Sequence, residues 1–92
     1  MIRTFRHKGL RSFFEESDHR GIPAVLAERI TRRLDALDAA KEVGDMNLPG
    51  FRLHALKGDR KGTWSVWVSG NWRITFSFRE SDAFDVNVED YH

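Results

Sequence analysis

Thr63-Trp64-Ser65-Val66-Trp67-Val68-Ser69-Gly70-Asn71-Trp72-Arg73-Ile74-Thr75-Phe76-Ser77-Phe78-Arg79 holds two runs with a period of two, joined by a turn. Trp64, Val66 and Val68 alternate with Thr63, Ser65 and Trp67. Trp72, Ile74, Phe76 and Phe78 alternate with Arg73, Thr75, Ser77 and Arg79. Successive side chains of an extended chain leave opposite faces, so each run predicts a strand with one apolar and one polar side. Ser69-Gly70-Asn71 is a short hairpin turn. The C-terminal half is therefore expected to build an antiparallel sheet.

The same period extends in both directions. Phe84, Val86 and Val88 alternate with Asp85, Asn87 and Glu89, after a second turn at Arg79 to Asp82. Upstream, Phe51, Leu53 and Ala55 alternate with Arg52, His54 and Leu56, and the polar loop Lys57–Gly62 follows. Before Pro49-Gly50 the period changes. Leu26, Ile30, Leu34 and Leu37 recur at helical spacing after Pro23, with Arg29, Arg32, Arg33, Asp35 and Asp38 expected on the opposite face. Leu10, Phe13 and Phe14 suit a shorter helix before Gly21, and Ile2, Thr4 and Phe5 suit a short first strand. Helices followed by hairpin-linked strands predict an α+β fold, a small antiparallel-dominated sheet packed against two N-terminal helices. Residues 1–92 are expected to form a single domain.

Composition narrows the chemistry. The chain has 92 residues, 40% hydrophobic and 32% charged, which is ordinary for a globular protein. It has no cysteine, so disulfides, thiolate nucleophiles and Cys-containing zinc sites are excluded. A cytoplasmic location fits that composition. No apolar run reaches the length of a membrane span, and Met1-Ile2-Arg3-Thr4 does not open a signal peptide. The net charge of +1 conceals blocks: residues 51–73 carry Arg52, Lys57, Arg60, Lys61 and Arg73 against Asp59 alone. A polyanion would find its complement there, and a solvated basic face is an equal reading.

The side chains able to do chemistry divide into two groups. His54 and Arg73 share the polar parity of their strands, and Lys57 opens the glycine-flanked loop. An arginine on a rigid strand can clamp a phosphate, although for Arg73 taken by itself a surface ion pair with Asp85 or Glu89 is the favoured reading. The chain then stops at Asp90-Tyr91-His92, a carboxylate, a phenol and an imidazole. Strand parity puts Tyr91 on the face opposite Asp90 and His92, so a shared site requires a bend after Val88. The loop Lys57-Gly58-Asp59-Arg60-Lys61-Gly62 lacks the Gly-Lys-Ser/Thr ending of a P-loop, and no His-x-x-x-His pair offers a metal site. Trp67, with outward parity, suits either stacking on a base or covering a sheet edge.

Taken in order, four motifs carry a family resemblance. Arg52-Leu53-His54-x-Leu56-Lys57-Gly58-Asp59, Gly62-x-Trp64-Ser65-Val66, Asn71-Trp72-Arg73-Ile74-Thr75-Phe76 and Glu89-Asp90-Tyr91-His92 resemble the HigB toxins of the RelE/ParE superfamily. The likeness begins at Phe5-x-His7-Lys8-Gly9-Leu10 and covers nearly the whole chain. It implies the RelE fold and the toxin half of a type II toxin–antitoxin system. It further implies a ribosome-dependent endoribonuclease that cuts messenger RNA in the A site by attack of the substrate 2′-hydroxyl, with no metal and no cofactor. The implied catalytic set is His54, Lys57, Arg73, Asp90, Tyr91 and His92, with Arg60, Lys61 and Asn71 as RNA contacts. Implied partners are a HigA-like helix-turn-helix antitoxin and the 70S ribosome, through 16S rRNA and message. Operator DNA is reached only through the antitoxin, and no membrane is involved. The alternative is a ParE-like gyrase poison that binds without cutting RNA; the terminal Asp90-Tyr91-His92 and the Lys57/Arg73 pair would then be idle.

Overall fold

A computed structural model describes residues 1–90. Helix α1 spans Lys8–Glu16 and α2 spans Ala27–Ala39. Strands β1 (His54–Ala55), β2 (Trp64–Ser69), β3 (Trp72–Arg79) and β4 (Asp82–Asp90) form one antiparallel sheet in the order β1-β2-β3-β4. The α+β expectation holds. Among the described residues no helix is long and apolar enough to cross a membrane.

Local chemistry sets each boundary. His7 caps α1, its Nδ1 accepting from the Leu10 amide at 2.9 Å. Ser17, at φ 56, closes the helix in the left-handed region. A 3-10 turn, Ala24–Leu26, follows Pro23 and leads into α2. Gly9 and Gly21 let the α1 start and this connection touch. A Cβ on Gly9 would lie 2.7 Å from the Gly21 carbonyl oxygen, so neither position has room for a side chain.

The core lies between the helices and one sheet face. Leu10, Ile30, Leu34 and Leu37 pack with Val66, Val68, Ile74, Phe76, Ala83 and Val86, all fully buried or nearly so. Burial of this kind contributes roughly 1.5–3 kcal/mol per large apolar side chain. The expected period of α2 is therefore what seats it on the sheet.

Four expectations change. Ile2 and Phe5 make isolated parallel bridges to Ala83 and Val86 rather than a strand. The run at 51–56 shortens to two residues of strand, because Arg52 adopts φ 49 and breaks the extended backbone. Arg33 leaves the outer face of α2. Its side chain is buried, Nε donates to the Trp67 carbonyl at 2.9 Å, and its guanidinium lies 4.4 Å from the Phe51 ring centroid. Burial, more than the neighbouring Arg29 and Arg32, pulls its pKa below the usual arginine value. Finally, Ala83 rather than Phe84 enters the core. Thr75 pairs with Asn87 but Ser77 pairs with Phe84, so Phe76 faces both Asp85 and Val86. That extra residue is a β-bulge, with Asp85 at φ 54.

Candidate active site

The sheet face away from the helices is built in cross-strand rows. His54 stands beside Ser65, which pairs with Thr75, which pairs with Asn87. In the next row on the same face, Trp67 pairs with Arg73 and Arg73 with Glu89. Neighbouring strands lie roughly 4.8 Å apart, so a small ligand can touch several of these side chains at once.

One end of this face is hollow. A cavity of about 490 Å³ is lined by Arg52, His54, Lys57, Trp67, Asn71 and Arg73, with Ala55, Leu56, Ser65, Gly70 and Trp72 completing it. Its described lining holds three cations, one histidine and no carboxylate. Five residues singled out from sequence, His54, Lys57, Trp67, Asn71 and Arg73, thus share one pocket. Arg73 is held with its side chain only 11% exposed, 3.8 Å from a Glu89 carboxylate oxygen, so one of the two ion pairs considered from sequence forms. Positive charge at low exposure is felt more strongly than on an open surface.

His54 has one described ring contact, from Nδ1 to the Arg52 carbonyl oxygen at 3.3 Å. A carbonyl only accepts, so in this contact Nδ1–H donates, which holds the ring in place. The left-handed Arg52 backbone aims that carbonyl at the ring. Trp67 forms a wall: its indole Nε1 donates to the Gly70 carbonyl at 2.8 Å, and the Arg52 guanidinium lies 4.3 Å from its ring centroid. From behind, Arg33 and Arg29 hold the Trp67 and Val68 carbonyls.

Of the other predicted residues, the described ones, Arg60, Lys61 and Asp90, do not line this pocket. Lys61 lines a separate, mostly apolar hollow with Leu56, Lys57 and Trp64. Arg60 turns to β4 and binds Glu89 through both Nη atoms, at 2.9 and 2.5 Å. Asp90 remains in strand opposite Trp72, with regular pairing from Val88 through Asp90, and is not among the pocket's lining residues. Tyr91 and His92 lie outside the described residues. Sequence reasoning gave Glu89 a part only as an ion-pair partner of Arg73; its pKa is lowered from 4.5 to about 2. The Arg60 hydrogen bonds are the main cause, opposed by burial and reinforced by Thr75 and by the Arg60 and Arg73 charges. Its shared parity with Arg73 and Thr75 was the available signal.

A four-stranded antiparallel sheet, two helices on one face and a cationic pocket on the other define a RelE-like α+β protein. A family model described as the RelE-like toxin HigB of type II toxin–antitoxin systems matches residues 3–92. Endoribonuclease HigB of Proteus vulgaris is 51% identical over 92 residues, covering all of both chains. Toxin HigB-1 of Vibrio cholerae is 32% identical over 91 residues, covering 97% of this chain and 96% of its own. The chain belongs to the HigB-like toxin family of type II toxin–antitoxin systems, whose toxins pair with an antitoxin.

Proposed function

We propose that this chain is an endoribonuclease toxin that cuts messenger RNA in the ribosomal A site by internal attack of a 2′-hydroxyl, without a metal. The observation that carries the reading is the pocket: Arg52, Lys57, Arg73 and His54 with no carboxylate in its described lining. The name of the Proteus vulgaris relative supports the same activity.

In this reading the RNA phosphate enters beside Arg73 and Lys57. A base removes the 2′-hydroxyl proton, and the 2′-oxygen attacks the adjacent phosphorus. The P–O2′ bond forms as the P–O5′ bond breaks. An acid protonates the departing 5′-oxygen, leaving a 2′,3′-cyclic phosphate and a 5′-hydroxyl. Arg73 and Lys57 stabilise the added charge on phosphorus. His54 suits proton transfer because its ring lines the pocket and is oriented through Nδ1 by the Arg52 carbonyl. Asp90 and His92 are further proton-transfer groups, and Tyr91 orients or stacks on the substrate. Asn71 reads a base edge at the pocket rim, with Arg60 and Lys61 adding positive charge around the loop.

The chain acts as one domain in the cytoplasm. Its partners are the 70S ribosome and a HigA-like helix-turn-helix antitoxin through which operator DNA is reached. Mapping 5′ ends on messages after induction tests the reading. Codon-phased cuts bearing 5′-hydroxyl groups are expected. DNA breaks with intact message would contradict it and favour a gyrase poison.

A further inference from the structure

Glu89 accepts hydrogen bonds from Arg60, Thr75 and Asn87, yet it does not line the pocket. Its Oε2 accepts from Arg60 Nη2 at 2.5 Å and Thr75 Oγ1 at 2.7 Å, while Oε1 accepts from Arg60 Nη1 at 2.9 Å. Oε1 also lies 3.8 Å from Arg73 Nη2. One carboxylate thus joins the pocket's arginine on β3 to an arginine on the loop after β1.

Backbone hydrogen bonds close that loop, Leu56 N–H donating to the Thr63 carbonyl at 2.8 Å and Thr63 N–H to the Arg60 carbonyl at 2.9 Å, and Glu89 anchors the closed loop to the sheet. Gly58–Arg60 is a single 3-10 turn beginning after Lys57, and glycines at φ 67 and 96 stand at positions 58 and 62. Glycine at positive φ permits such a turn without stiffening it. The bidentate Arg60–Glu89 bridge ties the turn to β4, and a fork of two parallel hydrogen bonds fixes direction as well as distance. Lys57 precedes this turn and also lines the pocket.

We propose that Glu89 is a positioning residue that holds Arg73 directly and Lys57 through Arg60, so that both cations meet one phosphate at a set separation. This rests on the reading of the pocket as an RNA-cleaving site. Its negative charge beside Arg73 weakens ground-state attraction for RNA while fixing the geometry needed as charge develops on phosphorus. Differential stabilisation of that kind raises turnover at the expense of binding.

The test is cleavage of ribosome-programmed message by wild type, E89Q, R60M and the double variant. E89Q is expected to lower kcat by about ten- to a hundredfold, the scale of a misplaced reacting group. KM should fall at least about twofold, because removal of the carboxylate leaves Arg73 more electropositive. R60M should also lower kcat, and the double variant should lose no more than the worse single variant, because both break the same link. R60M carries the test alone if E89Q does not fold. Full kcat in folded E89Q, a kcat loss with KM unchanged, or additive losses would each overturn the inference while the pocket reading stands. A wild-type chain that cuts no programmed message would overturn the pocket reading and this inference together.

Discussion

At the scale of single residues, the site is a contest over where positive charge is allowed to point. Arg73 faces the pocket while paired with Glu89; Arg60, one loop away and still partly exposed, binds the same carboxylate. Composition counted both as cations of one basic block; strand parity and motif set Arg73 apart, and the structure adds that both share one carboxylate. Replacing Arg73 with Ala is expected to lower cleavage by roughly 10²–10³-fold, the cost of losing one transition-state charge stabiliser. The circular dichroism spectrum should be unchanged, and wild-type turnover in a folded variant would count against the role.

Glu89 also makes a pH prediction. Its folded pKa is depressed, from 4.5 to about 2, so the carboxylate form favours the folded state. That contribution is full above 4.5 and is lost as pH falls toward about 2. In urea unfolding, the stability gap between wild type and E89Q should be constant from neutral pH to about pH 5. It should shrink below that. A gap that persists at pH 2 would contradict the assignment.

Among the elements, β4 shows why strand patterns mislead. Alternation predicts Phe84 with Val86 and Val88 on one face, yet Phe84 lies on the other, with the Arg79 guanidinium 4.2 Å from its ring centroid. One inserted residue at the bulge reverses parity, and nothing in the period announces it. Beyond the bulge the parity is correct, which is why Asn87 and Glu89 reach the site face. Asp85 bears the left-handed conformation, so D85G should preserve or raise the melting temperature. D85V should cost about 1–2 kcal/mol, because a β-branched side chain fits that region poorly. Equal stability of the two would argue that the bulge is absent. Gly9 is constrained by distance instead: G9A places a methyl against the Gly21 carbonyl and should destabilise by about 1–3 kcal/mol.

Across the whole molecule, the helices cover one face of the sheet and the candidate site occupies the other. Periods of two and of three to four residues are local signals, so strands β2 to β4 and helix α2 were legible from Trp64-to-Arg79 outward. The pocket was legible only in part. His54, Lys57, Asn71 and Arg73 came from ordered motifs, whereas the Arg60–Glu89 link joins positions 29 apart with no periodic trace. Arg33 was misplaced for a related reason, since helical spacing does not reveal that a carbonyl of β2 awaits its guanidinium. The layered arrangement separates stability from chemistry. L34A, at a fully buried position, should cost about 2–5 kcal/mol, whereas the site variants leave the core intact.

The most direct test of the RNA-cleaving pocket is a paired digestion by the purified protein. One RNA is presented on programmed 70S ribosomes and free in solution, with wild type and R73A side by side. Cleavage at the A-site codon by wild type alone, on ribosomes alone, with a new 5′-hydroxyl, is the predicted result. Equal cutting of free RNA, or undiminished cutting by R73A, would contradict the account.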